Sequence, residues 1–127
     1  MELPDKLKYT STHEWIADNG DGTVTVGITA VATEQLGDLV YVELPKPGAS
    51  VTRGSGCAVV ESTKAASDVY APVSGEVVAA NEELGTHPER VNESPYGKGW
   101  LFKIRLKDRG ELKELLASDA YRSSAGA

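Results

Sequence analysis

Apolar residues fall in short runs along this chain, separated by turns rich in glycine, proline, aspartate and serine. Most runs follow the two-residue period of a strand. A first strand is predicted around Trp15. Asp18-Asn19-Gly20-Asp21-Gly22 is a turn cluster. It leads into 23–28, where Val24, Val26 and Ile28 share one face and the threonines mostly take the other. Thr29 is placed to cap a two-turn helix running to Leu36, with Gly37 as its left-handed stop. Further strands are predicted at 39–44, closed by Pro45, Pro47 and Gly48, and then at 57–60, 69–71 and 77–80. Gly75, between Ser74 and Glu76, reads as a turn residue with positive φ. The polar stretch 81–99 is too long for a featureless connection, and 82–84 and 88–91 can each form a helical turn. The clearest strand is 100–106, where Trp100, Phe102, Ile104 and Leu106 alternate with Leu101, Lys103 and Arg105. Asp108, with Glu111 three positions on, opens a C-terminal helix whose apolar stripe is Leu112, Leu115 and Leu116. Residues 1–8 read as a loosely held arm and 122–127 as a frayed tail.

Strands separated by turns, without repeated βαβ spacing, predict a mainly β fold: an antiparallel sandwich or flattened barrel with short helices and a C-terminal helix. The 127 residues fit one domain, 1–127, long enough for a core without metal or disulfide staples. The net charge of −6, with no cluster of Lys or Arg, argues against nucleic acid as the main partner. No apolar run approaches the roughly 18 residues of a membrane span. The opening MELPDKLKYT has neither an apolar signal core nor the composition of a transit peptide. The expectation is a cytoplasmic protein, or a mitochondrial matrix protein only if a leader has been removed.

The single cysteine, Cys57, excludes an internal disulfide and a cysteine-based metal cluster, and in its apolar run it reads as a small buried hydrophobe. His13-Glu14-Trp15 lacks the spacing of the zinc protease helix, which needs two histidines four apart. Position 17 is alanine and His87 lies in a distant loop, so both histidines read as surface or packing groups.

Lys64 stands out for its place. It falls near the tip of the first strand pair of 57–78, between Thr63 and the small pair Ala65-Ala66. That makes it an accessible amine in a fixed position. Turns commonly carry exposed lysines, so position alone assigns nothing, and the surrounding residues decide.

Those residues match a family pattern. They run Thr12-His13-Glu14-Trp15, Gly27-Ile28-Thr29, Leu36-Gly37-Asp38 and Val42-Glu43-Leu44-Pro45, then Glu61-Ser62-Thr63-Lys64-Ala65-Ala66-Ser67-Asp68-Val69. Ala71-Pro72-Val73-Ser74-Gly75-Glu76, Val91-Asn92, Pro95-Tyr96-Gly97 and Gly99-Trp100 follow in order. In this the chain resembles the H proteins of the glycine cleavage system from Leu7 to about Tyr121. The resemblance implies a barrel-sandwich hybrid fold and lipoate bound covalently to Lys64. It further implies a carrier with no catalytic group of its own. The arm would take an aminomethyl group from a pyridoxal phosphate-dependent glycine decarboxylase to a tetrahydrofolate-dependent aminomethyltransferase, and a flavin-containing dihydrolipoamide dehydrogenase would reoxidise it. A lipoate ligase or lipoyl transferase would load it. Tethering makes each transfer local to a docked pair, and the cofactor supplies the hard chemistry. Ala30 departs from the aspartate frequent among relatives, leaving the start of the short helix in question; Thr63 replaces a common valine.

Three rival readings stand beside this one. Biotin carriers usually flank their lysine with methionines, whereas the sole methionine here is Met1. A lipoyl relay protein, passing lipoyl groups to other acceptors, would keep the same motif and stays open. A Schiff-base enzyme needs a desolvated lysine in a pocket, and a polar hairpin tip does not supply one. Glu61 and Asp68, flanking Lys64, are the candidate partner-recognition residues of a carrier expected to be a monomer.

Overall fold

The computed structural model describes residues 4–125. Among these residues nine strands form: β1 (Lys8–Tyr9), β2 (Glu14–Asp18), β3 (Thr23–Ile28), β4 (Leu39–Glu43), β5 (Ser50–Val51), β6 (Gly56–Ser62), β7 (Ala66–Tyr70), β8 (Gly75–Ala80) and β9 (Phe102–Leu106). Three short α-helices accompany them: α1 (Ala30–Leu36), α2 (Glu89–Glu93) and α3 (Ser118–Ala125). Two 3-10 turns lie at Glu82–Gly85 and Arg109–Glu114. The strands make a six-stranded sheet in the order β1-β2-β3-β9-β8-β5 and a three-stranded sheet in the order β4-β6-β7, every pairing antiparallel.

Period-two patterning decides which faces meet. Ile16, Val24, Val26, Val77, Phe102 and Ile104 of the larger sheet share one buried cluster with Leu39, Val42, Ala58, Val60 and Val69 of the smaller. The two sheets therefore lie face to face as a sandwich, and the strand pairings close no barrel among the described residues. Removing these apolar side chains from water is what holds the layers together, at about 1.5–3 kcal/mol for each fully buried valine, leucine, isoleucine or phenylalanine. A second cluster of Tyr9, Trp15, Val31 and Tyr121 seals one flank, with Tyr9 and Tyr121 stacked at 4.8 Å between ring centroids.

Thr29 caps α1 as expected, its hydroxyl accepting the Ala32 N–H at 3.3 Å. Ala30 leaves that start intact, because its own N–H donates to the Tyr96 hydroxyl at 3.0 Å. Gly37 does stop the helix with positive φ (84°), but ψ of −164° puts it outside the left-handed helical well.

No continuous helix runs from Asp108. Asp108 caps only the 3-10 turn, accepting the Gly110 N–H at 2.8 Å, and Glu111 turns away to accept the Ser74 N–H at 2.8 Å. Leu116 then exchanges both backbone hydrogen bonds with Tyr9 at 2.7 Å, which breaks helical continuity before α3 begins at Ser118. The leucine stripe is thereby split: Leu112 and Leu115 pack on the main core and Leu116 on the second cluster. Gly75 opens β8 and is absent from the positive-φ glycines. It is glycine because a Cβ there would stand 2.0 Å from the Arg105 carbonyl oxygen across the β8–β9 pair. Within the expected arm, residues 4–8 are tied down: Tyr9 donates its hydroxyl to the Pro4 carbonyl at 2.7 Å, and Asp5 accepts from Ser118 at 2.6 Å. The expected frayed tail continues α3 as far as Ala125, and residues 1–3 and 126–127 lie outside the described part.

Candidate functional site

The β6–β7 hairpin carries Lys64 at its turn. Thr63, Lys64 and Ala65 are exposed, and the turn is held by one side chain. The Ser62 hydroxyl accepts the N–H groups of Lys64 (3.3 Å) and Ala65 (3.1 Å), while its own backbone N–H donates to the Ala65 carbonyl at 2.7 Å. Serine suits this place because its short hydroxyl competes with strand pairing for local backbone donors. The lysine is thus fixed at its base by the turn. The side chain leans toward the α1–β4 junction, where a Cβ on Gly37 would lie 3.4 Å from Lys64 Cε and 4.0 Å from Nζ.

Glu61 and Asp68 both belong to the hairpin, and the register places them on one face. Glu61 stands opposite Ala66 on β7 and Tyr41 on β4, and Asp68 opposite Val59, itself opposite Glu43. The alternate residues, Val42, Ala58, Val60 and Val69, point into the core. The outer face of the small sheet therefore shows Glu43, Glu61 and Asp68 with the exposed Tyr41. Among the described residues, Lys64 makes no ion pair with either Glu61 or Asp68. Sequence reading missed Glu43; only the β4–β6 register brings it alongside.

Behind the hairpin, a cleft of about 80 Å³ opens between the sheets, lined in part by Thr12, His13, Glu14, Gln35 and Ser67. Glu14 is 1% exposed, with Oε1 accepting the hydroxyls of Thr10 and Thr12 at 2.5 Å each and Oε2 accepting the Tyr70 N–H at 3.3 Å. Burial pushes its carboxyl up from the ordinary range, and the hydrogen bonds pull part of the way back. Among the described residues, His13 belongs to no cluster of side chains able to hold a metal ion. Its Nδ1 meets the Tyr121 hydroxyl at 2.6 Å, which also bonds the Thr29 hydroxyl at 2.7 Å, and burial lowers the imidazole pKa. His87 sits apart, beside Glu89 at 3.1 Å. Burial pushes the Cys57 thiol up to about 12, which leaves it a poor nucleophile.

Both the sequence and the fold have counterparts among known proteins. The family model described as Glycine cleavage H-protein matches residues 7–126. The chain belongs to the glycine cleavage H-protein family. It is 57% identical over 122 residues to the glycine cleavage system H protein of Idiomarina loihiensis, covering 96% of this chain and 95% of that one. It is 55% identical over 121 residues to that of an Escherichia coli strain, covering 95% and 94%. The crystal structure of a glycine cleavage system H protein from Mycobacterium marinum superposes with a TM-score of 0.90 at 43% identity, covering 98% of this chain and all of that one. As a member of the glycine cleavage H-protein family, the protein is a lipoyl carrier and a non-catalytic component of the glycine cleavage system.

Proposed function

We propose that Lys64 is the residue that bears the lipoyl group. The observation that carries this is its placement: an exposed amine at the tip of a hairpin whose turn is locked by Ser62, beside a Gly37 that leaves the stem unobstructed. Acylation would turn the ammonium into a neutral amide. When bound, lipoate supplies a dithiolane able to accept an aminomethyl group together with two electrons. The chain's own part is to hold the attachment point rigid and leave the arm free. Partners in this system are the glycine-decarboxylating P protein, the aminomethyl-transferring T protein and the dihydrolipoamide-oxidising L protein. A lipoate ligase or lipoyl transferase would load the carrier, which works as a cytoplasmic monomer. Glu61 and Asp68 supply the acidic face that these partners meet.

Lys64→Arg tests the attachment site. It keeps the positive charge at an exposed position, so stability should move by no more than about 0.5 kcal/mol. Exposure to a lipoate ligase should add the lipoyl mass to the parent and nothing to the variant. Peptide mapping that put lipoate on another lysine would refute the assignment.

A further inference from the structure

The backbone beside Lys64 is held by a side chain from elsewhere in the fold. Between α1 and β4 the chain passes through Gly37 and Asp38 before Leu39 pairs with Ser62 of the hairpin. The Gly37 N–H closes α1 on the Thr33 carbonyl at 2.9 Å. On either side of Asp38, the Gly37 carbonyl and the Leu39 N–H are both satisfied by the amide of Asn92. Its Nδ2 donates to the Gly37 oxygen at 2.9 Å and its Oδ1 accepts the Leu39 N–H at 2.9 Å. One primary amide thus does for this segment what a neighbouring strand would do. Asn92 is fixed in turn because α2 is anchored by the fully buried Val91.

The clamped segment lies under the lysine. With no Cβ at Gly37, whose φ is +84°, Lys64 Cε rests within van der Waals range of the space a methyl would fill. We propose that Asn92 is a positioning residue for Lys64: it sets the height and tilt of the Gly37–Asp38 shelf, and the shelf sets the direction in which the lysine stem leaves the turn. This rests on the reading that Lys64 is the acylated residue. Without the shelf, the end of the stem would distribute over the three staggered wells of its torsion. The fraction already pointing correctly would fall from near one to about a third, so an enzyme acting on the lysine should show an apparent KM about threefold higher at unchanged kcat.

Two readouts test this on the full-length, unacylated protein. The parent should show a nuclear Overhauser effect between the ε protons of Lys64 and the α protons of Gly37. Asn92→Ala should lose it while keeping the contact between Val24 and Ile104, which face each other in the core. Lipoate ligase kinetics should then show the KM rise alone. Asn92→Asp, which keeps the acceptor for Leu39 but not the donor to Gly37, is the second variant if the alanine form does not fold, and it should give the same loss. The proposal is overturned if the parent lacks the Lys64–Gly37 contact. It is also overturned if a folded variant keeps the contact or the parental KM, or if both variants lose their core contacts, since Asn92 would then serve the fold as a whole. Lipoate mapped to another lysine would refute the acylation reading and leave the contact result standing.

Discussion

Glu14 and His13 are adjacent in sequence and respond to acid in opposite directions. Burial favours the neutral form of each. For Glu14 the folded pKa lies above its ordinary value of 4.5. The fold therefore takes up a proton before the unfolded chain does, and gains stability as pH falls through the folded value toward 4.5. For His13 the folded pKa lies below 6.5. The unfolded chain protonates first, and the fold loses stability as pH falls below 6.5 toward the folded value. Glu14→Gln keeps the size of the side chain and deletes only the first of these effects. Compared with the parent, the variant should lose stability more steeply on acidification within Glu14's window, by up to about 1.4 kcal/mol per pH unit for one proton. Urea midpoints measured across that range check this; parallel curves for the two proteins would remove Glu14 from the linkage. The sequence showed His13-Glu14-Trp15 as a motif but not its role. Thr10 and Thr12 are close enough to guess as donors, whereas Tyr70 and Tyr121 reach the pair only through the fold.

At the scale of elements, what was legible in sequence depended on how local the determinant was. α1 was readable from Thr29 to Gly37 because its cap and stop lie in the same short stretch. β3 and β9 were readable from alternation, although β9 starts at Phe102 because Leu101 spends its N–H on the Val26 carbonyl outside the regular ladder. The C-terminal segment was misread because its leucines have helical spacing while a non-local bridge from Tyr9 to Leu116 takes precedence. Gly75 shows the same limit, since glycine there answers to Arg105 and Ile104 on β9 and not to its own turn. The consequence is measurable. Gly75→Ala, harmless at a simple strand start, would force its methyl into the Arg105 carbonyl and toward Ile104 Cγ2, which a Cβ would approach to 2.7 Å. A loss of about 1–3 kcal/mol, the usual cost of overpacking, is expected in denaturant unfolding, and more for Gly75→Val. An alanine variant as stable as the parent would show that β8 and β9 can separate at no cost.

On the scale of the whole molecule, the hairpin lies at the edge of a small sheet whose outer face carries Glu43, Glu61 and Asp68, on a chain with net charge −6. Sequence proximity to Lys64, itself singled out by the family motif around it, picked out two of those carboxylates; the sheet register supplied the third and put all three acids on the outer face. On the proposed assignment, acylation would remove the cation of Lys64 and add nothing to offset it, so the face would become more negative once loaded. Exposed charges of this kind act on encounter more than on the docked complex. Their reach is set by salt: the Debye length is about 30 Å at 0.01 M and about 8 Å at 0.15 M. Raising ionic strength across that range should therefore raise the apparent KM of the partner enzymes for the lipoylated carrier with little change in maximal rate. Glu61→Lys, acylated before the assay and with Lys64 occupancy verified by peptide mapping, should raise KM at low salt and respond less to added salt than the parent. Kinetics indifferent to salt, with the charge-reversed carrier as good a substrate as the parent, would mean that partners recognise the arm and the hairpin backbone and that the acidic face is ordinary solvated surface.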